Sequence, residues 1–175
     1  MNMKKSIYQL PFLLLVSLIL VSCGKDKNAE DSYFVKIKKD GTWISFPSVS
    51  GELGPDLFNA SYTNLGIAAV TTDRKERFDL IIQVNGSNFT TGVYKSLNSY
   101  SYVDIQYTYI DNTSSVFNYM IDNALGRPQC AYTVNITEIT STSIRGNFTG
   151  NYLSDVMHDG VLEITEGEFY VKRVR

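Results

Sequence analysis

The sequence predicts an all-β domain, an antiparallel sandwich or barrel of about ten strands, and three observations support this. Apolar and polar residues alternate with a period of two along most of the chain after Tyr33, which is typical of half-buried strands. β-branched and aromatic residues fill these runs, as a pleated surface favours. Turn dipeptides such as Asn85-Gly86 and Asp159-Gly160 separate the runs at spacings that favour a sandwich or barrel.

The alternation locates the individual strands. Every second residue from Phe78 to Val84 is apolar, and the segments 129–137 and 143–152 show the same pattern. Along the chain, strands are predicted near residues 33–38, 42–46, 57–63, 66–72, 76–84, 89–95, 100–110, 129–139, 142–153 and 161–174. We expect the last of these to be broken in two by a turn at residues 166–167.

Residues 115–125 allow two interpretations. Apolar residues recur there at helical spacing, with serines before them and Gly126 and Pro128 after them, which indicates one short helix. The β-branched and aromatic content, and the turn signal at residues 111–113, fit the return strand of a hairpin equally well.

The first 22 residues have the features of an export signal. Lys4 and Lys5 precede an apolar run at residues 7–21, which covers 15 positions. A run of this length is shorter than the roughly 20 apolar residues that span a bilayer as a helix. A charged start followed by a short apolar core is typical of a secretory signal peptide.

The signal ends in Leu20-Val21-Ser22-Cys23, which resembles the lipobox of bacterial lipoproteins. A leucine stands three positions before the cysteine, a small residue stands just before it, and the cysteine follows the apolar run directly. The resemblance implies cleavage before Cys23 and lipid on its thiol, with the several acyl chains that stable membrane anchoring requires. It also implies a lipid-anchored protein of the bacterial cell envelope, at the outer membrane or the cell surface.

The rest of the chain divides into a tether and a domain. Residues 23–32 are polar and contain no large apolar side chain, so we expect a flexible tether. Residues 33–175 have the size of one domain and predict a single all-β unit. Because Cys23 is the expected lipidation site, we predict no disulfide, and we expect Cys130 to be a small buried hydrophobe among its apolar neighbours.

Charge and motif content argue against several function classes. The chain has 16 Lys and Arg against 18 Asp and Glu, and nucleic-acid partners usually require a basic patch. His158, the only histidine, lies in a polar segment between strands, and we expect no metal site and no cofactor. Because phosphate-loop and nucleophile-elbow motifs are also absent, we expect no enzyme. Glu163 and Glu168 flank the predicted turn, and a glycan hydrolase using that pair is the less favoured alternative.

The candidate ligand-binding residues lie on the strand predicted at residues 100–110. Alternate residues from Val103 to Tyr109 share the face that we assign to the core. The other face carries Tyr100, Tyr102, Asp104 and Gln106. Aromatic rings beside hydrogen-bonding groups suit a sugar ring or a peptide, and Trp43 either joins this surface or covers the edge of the core. The prediction is a non-catalytic protein that binds a glycan or protein partner, and a structural or assembly subunit of an envelope complex is the alternative.

Short motifs near the C-terminus and near residue 40 carry a resemblance to a group of proteins. The segments 136–139, 143–150 and 161–169 are similar to the pattern "IT…I.G.F.G" followed by "v.IT.G.F", and Lys39-Asp40-Gly41-Thr42-Trp43 is similar to "dG..W". These motifs resemble those of a group of small envelope lipoproteins from Bacteroidota. The resemblance implies a cell-envelope lipoprotein with an all-β domain, and it implies no catalytic or binding residue.

Overall fold

A computed structural model describes residues 32–96, 101–121, 129–155 and 160–174. The chain from Tyr33 onward forms one compact unit, and its described part is all-β, which confirms the predicted fold class. These ranges contain no helix with the length and apolar character needed to span a bilayer. The strands are β1 Phe34–Lys39, β2 Thr42–Phe46, β3 Ser48–Pro55, β4 Tyr62–Val70, β5 Glu76–Asn85, β6 Gly92–Lys95, β7 Ser101–Ile110, β8 Val116–Met120, β9 Tyr132–Ile139, β10 Ser143–Gly150, β11 Tyr152–Asp155 and β12 Val161–Val174.

The strands form two sheets that share β12. Sheet A has the order β2-β1-β12-β10-β9-β6, and sheet B has the order β3-β4-β5-β7-β8-β11. The start of β12 pairs with β11 and its end pairs with β3, so sheet B and β12 close into a ring of seven strands. Among the described strands, all pairings are antiparallel except the short parallel contact between β12 and β3. The single strand predicted at residues 142–153 is two strands, β10 and β11.

The core lies between the two sheets. Phe78 of sheet B stacks on Phe148 of sheet A, with ring centroids 5.6 Å apart, and packs against Phe46 at 6.3 Å. Side chains along β4 and β5 alternate between buried and less buried positions, which is the source of the period of two in the sequence. Full burial of each large apolar side chain contributes roughly 1.5–3 kcal/mol to folding.

Glycines in sheet A make room for aromatic rings in this core. Three cross-strand pairs match a glycine with a ring: Gly146 with Phe169, Gly167 with Phe148, and Gly150 with Tyr132. A Cβ on any of these glycines would overlap the ring of its partner. The alternating glycines and aromatic residues of the C-terminal motifs are therefore required by packing inside the fold.

Residues 115–125 contain a strand. Val116–Met120 forms β8, which pairs with β7, so the helix alternative is wrong for these residues. Phe117 stacks on Tyr109 of β7 with ring centroids 4.7 Å apart, and such cross-strand aromatic pairs stabilise a sheet by up to about 1 kcal/mol. Residues 122–125 lie outside the described residues.

The hairpin of β3 and β4 is placed differently from the prediction. A strand was expected at residues 57–63, but β3 ends at Pro55 and residues 56–61 form the connecting loop. Leu57 and Phe58, which the apolar pattern assigned to a strand, are 93% and 98% exposed. The loop therefore carries two large apolar side chains into solvent.

β12 runs without interruption where a break was predicted at Glu166-Gly167. A β-bulge opposite Lys38 and Lys39 of β1 shifts the alternation of side chains at this point, so that Ile164 and Gly167 both face the core. The predicted turn is wrong, because the turn-like dipeptide lies next to a bulge inside a strand.

Candidate functional site

Strand β7 presents a core face and an outer face. Val103, Ile105 and Tyr107 are buried and Tyr109 is half-buried against the core, which confirms the predicted core face. Tyr102 is 57% exposed on the outer face, and Asp104 and Gln106 share that face. Tyr100, the fourth candidate residue, lies outside the described residues.

Asp104 is less accessible than a residue on an open binding surface. It is only 8% exposed, and Gln106 Nε2 donates a hydrogen bond of 2.8 Å to Asp104 Oδ2. Burial and, second, the charge of Asp104 raise the pKa of Tyr102, so the tyrosine hydroxyl stays protonated and can donate a hydrogen bond. Tyr102 offers contact area, while Asp104 and Gln106 form a polar border beside it.

The outer face of sheet B continues from Tyr102 across three neighbouring strands. Two cross-strand rows run from β3 through β4 and β5 to β7. The first row consists of Gly54, Asn64, Gln83 and Tyr102. The second row consists of Glu52, Gly66, Ile81 and Asp104. Three inter-strand spacings make each row about 14 Å long.

Two glycines open a groove in these rows. A Cβ on Gly54 or Gly66 would meet no atom within 4 Å, so the backbone itself is open to solvent there. The groove, called the glycine groove below, has a volume of about 270 Å³. Its lining also includes the side chains of Glu52, Asn64 and Ile81 and the start of the β3–β4 loop.

The β3–β4 loop forms one wall of the glycine groove and is held by Asp56. Asp56 Oδ1 accepts hydrogen bonds from the backbone N–H groups of Phe58 at 2.9 Å and Asn59 at 2.8 Å. Asp56 Oδ2 accepts from Asn64 Nδ2 at 2.6 Å and from Gln83 Nε2 at 3.2 Å. The bond from Asn64, followed by those from the backbone, lowers the pKa of Asp56. The carboxylate stays ionised and fixes the loop with Phe58 exposed.

One buried acceptor beside the groove lacks a donor among the described residues. Asn64 Oδ1 is buried and accepts no hydrogen bond, whereas Nδ2 of the same side chain donates to Asp56. Reversing the amide would place Oδ1 against the carboxylate of Asp56, so electrostatics fixes the orientation. A buried acceptor left unsatisfied costs about 1–3 kcal/mol.

A second cavity, of about 460 Å³, lies at the opposite end of sheet B and includes Glu76 and Tyr109 in its lining. Beside it, Lys39 Nζ donates to the Tyr107 hydroxyl at 2.9 Å and to Glu76 Oε1 at 3.4 Å. Burial is the main cause that raises the pKa of Tyr107. These groups satisfy one another, in contrast to Asn64 in the glycine groove.

The other residues singled out from the sequence do not join the glycine groove. Trp43 lies on edge strand β2 of sheet A, so the interpretation that it shares a surface with Tyr102 is wrong. Glu163 and Glu168 lie on one continuous strand and do not face each other across a turn. Cys130 is buried as predicted, with its Sγ 3.6 Å from the hydroxyl of a serine. His158 and Cys23 lie outside the described residues.

Together these features define an all-β domain with an open groove on the outer face of one sheet. Within the described ranges, no three His, Cys, Asp or Glu side chains are grouped to hold a metal ion. Comparison of the chain with protein-family models, with curated proteins and with solved structures gave no match. The sequence located Tyr102 from the alternation along its own strand. It missed the glycine groove, since that groove depends on the register of three other strands.

Proposed function

We propose that this protein is a non-catalytic lipoprotein of the bacterial cell envelope that binds a glycan on the outer face of sheet B. The observation that supports this proposal is that exposed Tyr102 and the glycine groove lie on one continuous face. Sugar rings bind through aromatic faces together with a few polar groups held at fixed positions. This face offers both.

The rigidity of this face supports a binding role. β4 and β5 are hydrogen-bonded to neighbours along both edges, so the backbone under the groove is fixed before a ligand arrives. The loop wall is also fixed, by the hydrogen bonds that Asp56 accepts. Preorganised sites lose little conformational entropy on binding, which favours affinity from a small contact area.

The membrane anchor is the second part of the proposal, and the lipobox-like sequence at Leu20–Cys23 supports it. A lipid on Cys23 and a polar tether at residues 23–32 would keep the domain at a membrane surface. Cys23→Ser should abolish metabolic labelling with a fatty-acid analogue and leave the uncleaved precursor in the membrane fraction. Labelling equal to that of the unmodified chain would show that the anchor proposal is wrong.

A pair of adjacent variants tests the binding face. The full chain, purified in detergent micelles, is screened against neutral oligosaccharides and peptidoglycan fragments. Tyr102→Ala should weaken glycan binding by about 1–3 kcal/mol and leave the free energy of unfolding nearly unchanged, because the side chain is largely exposed. Val103→Ala should leave binding unchanged and lower the free energy of unfolding by about 2 kcal/mol, through lost core contacts.

Two results would contradict the proposal. Absence of binding to every glycan would exclude the function. Equal destabilisation by Tyr102→Ala and Val103→Ala would show that Tyr102 acts as a packing residue, and the binding face would then lie elsewhere.

A further inference from the structure

The chain enters the domain at the same end at which the β3–β4 loop projects. β1 begins opposite Tyr170, near the end of β12. β3 runs parallel to β12, and its last pairing with that strand joins Glu52 to Val174. β3 then continues to Pro55 and carries the loop of residues 56–61 about 10 Å further in the same direction. We call this end of the domain the tether end.

The described connections at the two ends of the domain differ in charge. Those at the tether end contain one charged residue, Asp56, and are residues 56–61, 86–91 and 140–142. Those at the opposite end are residues 40–41, 71–75 and 111–115. They contain five charged residues, which are Asp40, Asp73, Arg74, Lys75 and Asp111. Because charged groups are costly to remove from water, the tether end can leave water more easily than the opposite end.

The β3–β4 loop presents Leu57 and Phe58 as an apolar tip. Both side chains are almost fully exposed. The carboxylate of Asp56 is bound at the base of the loop, where Asn64 and Gln83 of the sheet donate hydrogen bonds to it. Two neighbouring apolar side chains in solvent gain free energy when a hydrophobic phase covers them.

Groups that suit a membrane interface lie at the tether end of sheet A. The rings of Tyr33 and Tyr170 have their centroids 5.0 Å apart, and the exposed Lys172 follows on β12. Tyrosine is enriched at the level of lipid headgroups, and lysine is attracted to anionic lipids. The apolar tip and these groups together fit a lipid surface.

The length of the predicted tether favours a membrane over a soluble partner. Residues 23–32 span at most roughly 35 Å when fully extended. A lipid on Cys23 would therefore hold the tether end within that distance of the bilayer. A short tether makes the second contact effectively intramolecular, so a weak interaction of the loop with lipid is enough to dock the domain.

We infer that the tether end docks on the bilayer that holds the lipid anchor, with Leu57 and Phe58 inserted among the acyl chains. This inference rests on the membrane anchor of the proposed function and does not depend on glycan binding.

Tryptophan quenching by lipids with brominated acyl chains tests the inference, because bromine quenches only at short range. The full chain is reconstituted into vesicles of phosphatidylethanolamine and phosphatidylglycerol, with and without brominated lipid. Trp43→Phe removes the single tryptophan, and Phe58→Trp places a reporter on the loop. This double variant should lose most of its emission in the brominated vesicles. The unmodified chain is the matched control, since Trp43 lies beside the turn at residues 40–41 of the opposite end and should keep its emission.

Two further substitutions in the reporter variant test insertion of the tip itself. Leu57→Asp should restore the emission in brominated vesicles, because a carboxylate at the tip opposes entry into the acyl chains. Val116→Asp changes an exposed apolar side chain at the opposite end of the domain and should leave the quenching unchanged. Leu57 and Phe58 are so exposed that their substitution should not disturb folding.

The outcomes separate this inference from the proposed anchor. If brominated lipid leaves the emission of the reporter at position 58 unchanged, the inference is wrong, and a protein partner becomes the occupant of the loop. Equal quenching of the reporter and of Trp43 would also overturn it, because neither end would then be preferred. Fatty-acid labelling that Cys23→Ser abolishes keeps the anchor proposal standing in both cases. Quenching of the reporter in a chain that takes up no fatty acid would refute the anchor and support docking of the loop.

Discussion

The outer faces of the two sheets use their polar side chains differently. On sheet A, Lys36 pairs with Glu168 at 3.1 Å and Lys38 pairs with Glu166 at 2.8 Å. The guanidinium of Arg145 lies 4.3 Å from the ring centroid of a tyrosine on the same face. These charged side chains are therefore already paired with neighbours on the same face.

Sheet B, in contrast, contains a polar atom without a hydrogen-bond partner within the described part of the chain. Asn64 Oδ1 has no donor among the described residues, and Gly54 and Gly66 leave open backbone beside it. Trp43 on sheet A is half exposed, as Tyr102 is on sheet B. Exposure of an aromatic ring alone therefore does not distinguish the two faces. The two faces differ in that the exposed ring of sheet B shares its face with the open positions of Gly54 and Gly66.

The glycines of the two sheets also differ, and substituting them gives the largest expected effect on the free energy of unfolding. Gly167→Ala places a Cβ on the ring of Phe148, and overpacking of this kind should lower the free energy of unfolding by about 1–3 kcal/mol. Gly66→Ala meets no atom within 4 Å and should be neutral, or stabilising by up to about 1 kcal/mol, because alanine restricts the unfolded chain. Urea denaturation of the two variants measures both values. Equal free energies of unfolding for the two variants would show that packing against Phe148 does not require a glycine at position 167.

A pH titration gives an effect of intermediate size, confined to the β3–β4 loop. The folded state lowers the pKa of Asp56 below its ordinary value of 3.8, chiefly through the hydrogen bond from Asn64. The stabilisation is therefore fully present above pH 3.8 and is lost as the pH falls through the lowered pKa. The protection factors of the Phe58 and Asn59 amides against hydrogen exchange, taken relative to the unfolded-chain rate at each pH, should fall on acidification over that range.

Asp56→Asn is the matched control for this titration. It should show fast exchange at Phe58 and Asn59 already at neutral pH, because a neutral amide is a weaker acceptor than a carboxylate. Exchange that stays slow in the variant would mean that the loop is held by other contacts.

The ion pairs of sheet A give the smallest expected effect. A double-mutant cycle on Lys36 and Glu168 should yield a coupling below about 1 kcal/mol, since both side chains are exposed and the pair is screened by salt. Neither substitution should alter sugar affinity. A coupling well above 1 kcal/mol would show that this ion pair stabilises the fold more than exposed pairs normally do.

Local patterns in the sequence were sufficient for the core faces of β5 and β7. The alternation from Phe78 to Val84 reports burial directly, because each residue's side is set by its neighbours in the strand. β3 was not predicted as a strand, because its glycines and proline are typical of a loop. The need for Gly51 comes from Val171 of β12, whose Cγ2 would lie 2.5 Å from an added Cβ. No local pattern carries that information.

The candidate site was predictable only in part, for a related reason. Tyr102 could be placed on an outer face from its own strand. Asn64 and Gln83 join it only through the register of β4 and β5, which the sequence does not specify. Leu57 and Phe58 were assigned to a strand because they are apolar. Their exposure results from the hydrogen bonds that Asp56 accepts, and these depend on the tertiary structure.

The shared strand β12 has a consequence for the order in which the molecule folds. Apart from β12, the described strand pairings of β1 involve β2 alone, and β3 is paired with sheet A only through β12. β12 follows every other strand in the chain, so the ribosome releases it after them. Neither sheet can reach its final form before that moment, and the pairing of β1 with β12 joins segments far apart in sequence. Contacts of such long range slow folding, so most of the chain has left the ribosome before either sheet is complete.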